Sequence, residues 1–490
     1  MGSIKGSRLD YDAIEKLGNP GWGWSDFDRA SKKSEHFIVP KPSPNLTYQI
    51  NFHGQNGSVK NSLPKYLPPP LGNFFPAFQQ VGHEPKPTDT YGGDLKGPYY
   101  YPATIDDNAE RVTSATAYYS PSIASRPNLI VRLHSEVDKV LTSKSKNGKL
   151  VVKAVQYISD GTHHKVWADR EVILSAGVFG SPAILERSGM GDPVVLNKFG
   201  IPVLNKLPGV GANLGDHYQL TNTYQLLPGL ISADNLTTNA TYAAEQYQLY
   251  KTHREGILTQ AISLFNYEPL QAFLTKEEIE EGMSYLKTNS SSPLPERVFK
   301  IIKEQLQKGT PVEFAVQNKR TIPIDTSPNA SYISFFVALQ YPLSRGSSHI
   351  SSIDPLKSPT IDAGYYSNPF DLWLISKSGK SCRKILSTSS MKEIIKEETL
   401  PGKSVKTEED WKKFAKETVR SFHHQIGTTS MLPFKDGGVV DSNLLVYGTN
   451  NLRVIDAGII PIPLAMHITM TVYAIGELGA ERILKKRNLL

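Results

Sequence analysis

Residues 129–191 constrain the fold most. Leu129–Leu141, Lys149–Ser159, His163–Ala168 and Arg170–Ala176 are runs in which Val, Ile and Leu alternate or cluster. Asn147-Gly148 and Asp160-Gly161 separate the first three runs. Such dipeptides are strong hairpin signals, because tight hairpin turns need residues that accept positive φ. The spacing predicts an antiparallel meander followed by a buried strand, Glu171-Val-Ile-Leu-Ser-Ala176. A glycine turn and a short helix should come next, with Ser181 as N-cap, Pro182 at the first helical position and Gly189 just past the end. A strand, a glycine turn and a helix bring backbone N–H groups to one point, which suits an anionic group. The same arrangement also serves as an ordinary strand-to-helix connection.

The rest of the chain is patterned less sharply. At 490 residues it can fill two or more domains. Leu264–Lys308 and Leu372–Val419 carry helical periodicity with charged faces, while Tyr332–Tyr341 and Ile361–Tyr366 read as strands. Thr288–Pro295 reads as a Ser/Pro/Asn-rich linker. Ala457–Gly476 has no formal charge, but Pro461 and Pro463 would break a spanning helix. A buried loop entering a core helix is expected there, and no membrane contact. The net charge of +7 is scattered among acids, with no arginine-rich arm or zinc-finger spacing, so no nucleic-acid partner is expected.

The lone Cys382 excludes an intrachain disulfide and a cysteine-built metal cluster, and no metal site is expected. Residues 1–15 lack the apolar core of a signal peptide. Asn-x-Ser/Thr sequons occur at Asn45, Asn56, Asn235, Asn239, Asn289 and Asn329, a weak sign of secretion in an Asn- and Ser-rich chain. The compartment stays open, with secretion one reading if a longer N-terminus precedes Met1.

Two histidines stand in distinctive surroundings. His424 lies in Ser421-Phe-His-His-Gln-Ile-Gly427, and His467 in Pro461-Ile-Pro-Leu-Ala-Met-His-Ile-Thr469. Between them run Gly437-Gly-Val-Val-Asp441 and Asn451-Leu-Arg-Val-Ile-Asp-Ala457. Upstream, Pro208-Gly-Val-Gly-Ala-Asn-Leu-Gly-Asp-His217 comes after Ser188-Gly-Met-Gly191. Alone, Gly209-x-Gly211 is a weak nucleotide signal. In this order the blocks resemble the glucose-methanol-choline (GMC) flavoprotein oxidoreductases, over most of residues 1–217 and 341–484.

That resemblance implies an α/β plus α+β fold, with a doubly wound FAD-binding domain and an antiparallel-sheet substrate domain. It divides the chain at 1–216 (flavin domain with an inserted substrate-domain segment), 217–340 (substrate region) and 341–490 (the region carrying both histidines). By similarity His424 is the base that takes the hydroxyl proton of an alcohol, and His467 the orienting partner. The reverse assignment stays open. A base of near-neutral pKa beside a second polar donor is what alcohol oxidation needs, with flavin accepting the hydride. Asp456 and Ala457 match positions against the flavin pyrophosphate, Ile468 and Thr469 positions beside the isoalloxazine, and Val137 the position whose backbone meets the adenine. His423 reads as a surface neighbour.

The beginning departs from the family. Asp10-Tyr-Asp-Ala13 and Leu17-Gly-Asn-Pro-Gly-Trp-Gly-Trp24 resemble the stretch just C-terminal to the first family signature. The chain has no Gly-x-Gly-x-x-Gly turn, so the first βαβ unit and its ADP cradle are expected to be missing. Either a longer protein exists or this is a shortened, flavin-free relative. Gly92-Gly-Asp-Leu-Lys-Gly97, Thr113–Pro121 and Arg126-Pro-Asn128 resemble the fungal aryl-alcohol and secondary-metabolite branch. An aromatic or polyketide-derived alcohol is the implied substrate, with oxygen or another molecule as electron acceptor. Two alternatives stand beside oxidation: a non-redox cyclase- or dehydratase-like step using the same histidines, and an inactive remnant.

Overall fold

A computed structural model describes residues 2–41, 46–83, 89–261, 264–286, 294–321 and 330–489. Most of the expected linker Thr288–Pro295, and the sequons at Asn45, Asn289 and Asn329, lie outside these residues.

The meander forms as its turn residues dictate. Strands β1 (Glu136–Lys144), β2 (Leu150–Ser159) and β3 (Thr162–Trp167) make an antiparallel sheet in that order. Asp160 and Gly161 both have positive φ, at 50° and 71°, as a two-residue turn of this hand requires. Strand β4 (Val172–Leu174) pairs in parallel with β11 (Leu452–Val454). This ladder places Ile455 and Asp456, just past β11, beside the glycine turn after β4: Ile455 N–H donates to the Leu174 carbonyl at 2.9 Å. In place of the expected doubly wound sheet, the described residues show this two-stranded parallel ladder and two others, Glu35–Ile38 with Val59–Ser62 and Met190–Gly191 with Asn205–Lys206.

The helix after β4 differs from the one expected. It runs Gly177–Arg187 with Pro182 inside it, not from Ser181. Ser181 is instead drawn to Asp456, donating to its Oδ2 at 2.6 Å. Gly189 does leave the helix with φ +76°.

The larger sheet is antiparallel throughout, with strands β5 (Tyr218–Leu226), β6 (Leu264–Glu268), β7 (Val312–Gln317), β8 (Tyr332–Leu339) and β9 (Ile395–Leu400). Its order is β6-β7-β8-β5-β9, and the short β10 (Arg420–Ser421) also pairs with β5. Leu264–Glu268 and Ile395–Leu400 are therefore strands inside segments whose periodicity suggested helix. In both, a short apolar or mixed run next to true helices blurs the period. Helices α1 (Trp24–Ser34), α2 (Gly177–Arg187), α3 (Pro369–Leu386) and α4 (Thr469–Lys486) complete the frame around the site.

Alternation gives the large sheet two faces. One carries Leu220 and Asn222 and packs on α3, where Asn222 Nδ2 donates to the Gly379 carbonyl at 3.3 Å. A Cβ at Gly379 would stand 2.5 Å from Leu220, so this crossing depends on glycine. The other face is fixed by register: Phe265 opposite Ala315, Tyr267 opposite Glu313, Ala315 opposite Phe336, and Thr221 opposite Phe336. That face looks onto the two histidines. The buried core is continuous from Ile4 to Leu478 and draws on all three sequence segments. Residues 2–6 are buried in it, and Gly2 bridges to Ala103.

Candidate active site

A kink in the backbone separates the adjacent histidines. His423 has φ +62° and is exposed, whereas His424 turns inward and is buried. The segment is held to the end of the glycine-rich block. Phe422 N–H donates to the His217 carbonyl at 2.8 Å, and Ile426 N–H to the Gly215 carbonyl at 2.9 Å. His424 N–H donates to Asp216 Oδ1 at 3.1 Å, and Tyr365 OH donates to Asp216 Oδ2 at 2.7 Å. His467 arrives from the other side, on the loop entering α4.

The two imidazoles meet edge to face, with ring centroids 4.7 Å apart. Phe422 lies 5.1 Å from each ring, and Phe265 lies 4.8 Å from His467. The segment at Gly2 closes in as well: a Cβ there would sit 3.2 Å from His467 Nδ1. Burial pushes the His424 pKa well below the usual histidine range, and the neighbouring His467 and His217 push it further the same way. At neutral pH His424 is therefore uncharged, as a proton acceptor must be.

Two further residues complete the group, and neither was singled out from the sequence. Glu313 is fully buried; its Oε1 lies 2.9 Å from His467 Nε2, and its Oε2 accepts from Gln340 Nε2 at 3.0 Å. A single carboxyl in the apolar strand Val-Glu-Phe-Ala-Val was the available signal, since such a group needs a partner. His217 Nδ1 lies 3.0 Å from His424 Nδ1, in the Asp-His pair that ends the glycine-rich block.

A cavity of about 550 Å3 opens on the same sheet face; His423 lines it, while His424 and His467 lie outside its lining. Gln219, Thr221, Gln317 and Phe336 form its floor, and Lys319 and Arg420 its rim. Phe336 touches the site through Phe422, with ring centroids 6.4 Å apart. No carboxylate lines this cavity among the described residues.

The positions expected at a cofactor fall in two places. Val137 lines a second cavity of about 550 Å3, with Ser135, Ala176, Gly180 and Arg187. Arg187 Nη2 donates to the Val137 carbonyl at 3.2 Å, so that oxygen is already engaged. Ile468 and Thr469, both half-buried, start α4, an 18-residue helix with no side-chain cap. Its first N–H groups and the helix dipole suit an electron-rich group.

Asp456 lies between these places and has no oxygen to spare. Oδ2 accepts from Gly177 N–H at 3.0 Å and from Ser181 Oγ, and Oδ1 accepts from Gly458 N–H at 2.8 Å. Burial pushes its pKa up. Its place is that of a brace which sets the turn at Gly177 against half-buried Ala457. At Gly177, with φ +75°, a Cβ would meet nothing within 4 Å, so the backbone there faces open space. A cavity, an open glycine turn and an uncapped helix are what a long anionic nucleotide cofactor with a ring at one end would need. The residues present therefore fit FAD.

Comparison with known proteins agrees with this geometry. Two GMC oxidoreductase family models match, the N-terminal one over residues 1–219 and the C-terminal one over 342–476. A GMC oxidoreductase family protein of Malassezia sympodialis is 32% identical, the match covering 98% of this chain and 77% of that protein. A dehydrogenase of Monascus purpureus is 29% identical over 97% of this chain and 80% of its own. Among solved structures, an FAD-dependent oxidoreductase from Chaetomium thermophilum superposes with a TM-score of 0.91 at 31% identity, covering 100% of this chain and 85% of the other. A fungal aryl-alcohol oxidase gives 0.86 at 27%, with coverage of 100% and 84%. On these matches, and with its large antiparallel sheet set against the paired histidines, the chain belongs to the GMC oxidoreductase family.

Proposed function

We propose that this oxidoreductase binds FAD and oxidises an aromatic or polyketide-derived alcohol, with His424 as base. The observation that carries this reading is the buried, uncharged His424 set edge-on to His467, with Phe265 and Phe422 against the pair. Val137 would hold the adenine end, Ala457 would flank the pyrophosphate, and Ile468 and Thr469 would lie at the ring end. Bound there, the flavin supplies a hydride acceptor.

The chain's own residues do the rest. Nε2 of His424 takes the hydroxyl proton. His467, its Nε2 held by Glu313, flanks and orients the substrate. Phe265, Phe336 and Phe422 give an aromatic ring its wall and keep water out, which strengthens these contacts. The rim of Lys319 and Arg420 favours members of the class that carry an acidic group.

The test is anaerobic reduction of the bound flavin by an aromatic alcohol panel, with His424→Ala beside the wild type. The variant should lose about 100- to 10,000-fold in rate. In the wild type the rate should stay flat as pH falls through the ordinary histidine range, because His424 is neutral well below it. Undiminished reduction in His424→Ala would remove His424 from the mechanism. The product should be lighter by two hydrogens. A product of unchanged mass, or one that has lost water, would assign the histidines to a step without oxidation.

A further inference from the structure

Among the described residues His217 is the side chain within hydrogen-bond distance of the His424 ring, and it takes no part in the proton transfer itself. We propose that His217 is a positioning residue that fixes the tautomer of His424: it accepts a hydrogen bond from His424 Nδ1–H and so leaves Nε2 bare toward the substrate. This rests on the assignment of His424 as the base.

The geometry leaves few choices. The two Nδ1 atoms are 3.0 Å apart, and the rings stand at 87° with centroids 5.1 Å apart. At that distance two lone pairs would repel, so one proton lies between the nitrogens. It belongs to one ring or the other. If it is on His217, neutral His424 must carry its own proton on Nε2, where it can only donate. If it is on His424, Nε2 is the free lone pair that a base requires.

The surroundings of His217 favour the second. The ring is 2% exposed, and the carbonyls of Gln340 and Leu464 bear on it. A carbonyl can only accept, so these oxygens favour a ring N–H on His217. With Nδ1 directed at His424, that N–H is on Nε2, and Nδ1 is left as an acceptor. A second proton on His217 would reverse the arrangement. Burial, with His467 and then Arg345 adding to it, pushes the His217 pKa down to about 3. The other groups around the pair are His423, which disfavours charge on His424, and Asp216, which accepts the His424 backbone N–H.

During catalysis the proton count stays balanced. When Nε2 takes the hydroxyl proton, the Nδ1 proton stays where it was. Its bond to His217 becomes charge-assisted and tightens. A carboxylate in the same place would do this too, but would also hold His424 charged at rest. A neutral histidine selects the tautomer while leaving the base uncharged.

The experiment uses the FAD-loaded protein with His217→Leu and His217→Asn. The Asn side-chain oxygen can replace the acceptor; leucine cannot. His217→Leu should slow flavin reduction by about 100-fold, with substrate affinity within about threefold of wild type. His217→Asn should recover most of that loss. Wild-type rates in His217→Leu, or equal loss in both variants, would overturn the proposal.

Nitrogen NMR of 15N-histidine-labelled wild type gives a readout that needs neither turnover nor a change at 217. The His424 signals, identified by their absence in His424→Gln, should show a protonated Nδ1 and a bare Nε2. A protonated Nε2 would overturn the tautomer assignment. If instead His424→Ala reduces flavin normally, it is the base assignment that fails, whatever the tautomer.

Discussion

Glu313 shows how a residue outside every recognisable block enters the site. It sits on β7, opposite Tyr267 on one side and Ala338 on the other, and reaches His467 from the sheet. Both its oxygens are engaged, one by His467 and one by Gln340. Glu313→Gln keeps the shape and removes the charge, so it should leave the fold intact and loosen the His467 ring. The expected loss in flavin-reduction rate is about tenfold to hundredfold, the size of one charge-assisted hydrogen bond. An unchanged rate in stopped-flow reduction would mean that His467 is oriented by its ring contacts alone. At this scale the sequence was legible where residue types stand in ordered blocks, as at His424 and His467. Glu313 and His217 were missed for different reasons. Glu313 acts across a long sequence separation from a segment with no signature, and His217 was read only as the end of a glycine-rich block.

Turn chemistry made the meander readable, whereas in the large sheet only Tyr332–Tyr341 was read as a strand. Val312–Gln317 and Tyr332–Leu339 are buried on both faces, so they show no period-2 contrast. Register does what the pattern could not: it puts Gln219, Thr221, Gln317 and Phe336 on the face that meets the histidines. The rim beyond them is basic. If that rim selects acidic substrates, the double variant Lys319→Glu/Arg420→Glu should raise KM for 4-(hydroxymethyl)benzoate about tenfold, and hardly alter KM for its methyl ester. Added salt should shrink the wild-type preference in the same direction. Equal effects on acid and ester would show that the rim charges act on the protein and not on the substrate.

At the scale of the whole molecule, the proposed cofactor would span two separated places. Between the cavity at Val137 and helix α4, the proposed adenine and ring ends, Asp456 braces the Gly177 turn against the loop at Ala457. The family resemblance suggested both ends, but in place of the doubly wound sheet it implied the described residues show short two-stranded parallel ladders: β4–β11, Glu35–Ile38 with Val59–Ser62, and Met190–Gly191 with Asn205–Lys206. Local motifs can be read one at a time, while a sheet depends on strands contributed from many places in the chain. Because the core is continuous across the three segments, a ligand spanning both ends should stabilise the whole molecule at once.

FAD at roughly 100 times its Kd should add about 2.7 kcal/mol, seen as a rise in Tm of a single transition. ADP should give a smaller rise, since it lacks the ring that would lie at Ile468 and Thr469. Ala457→Glu would set a carboxylate against the pyrophosphate between the two ends. It should abolish the FAD-dependent rise while leaving Tm without FAD close to wild type, because Ala457 is only half-buried. An equal rise in the variant would mean that the phosphates run elsewhere, and that the two ends are not bridged along Asp456 and Ala457.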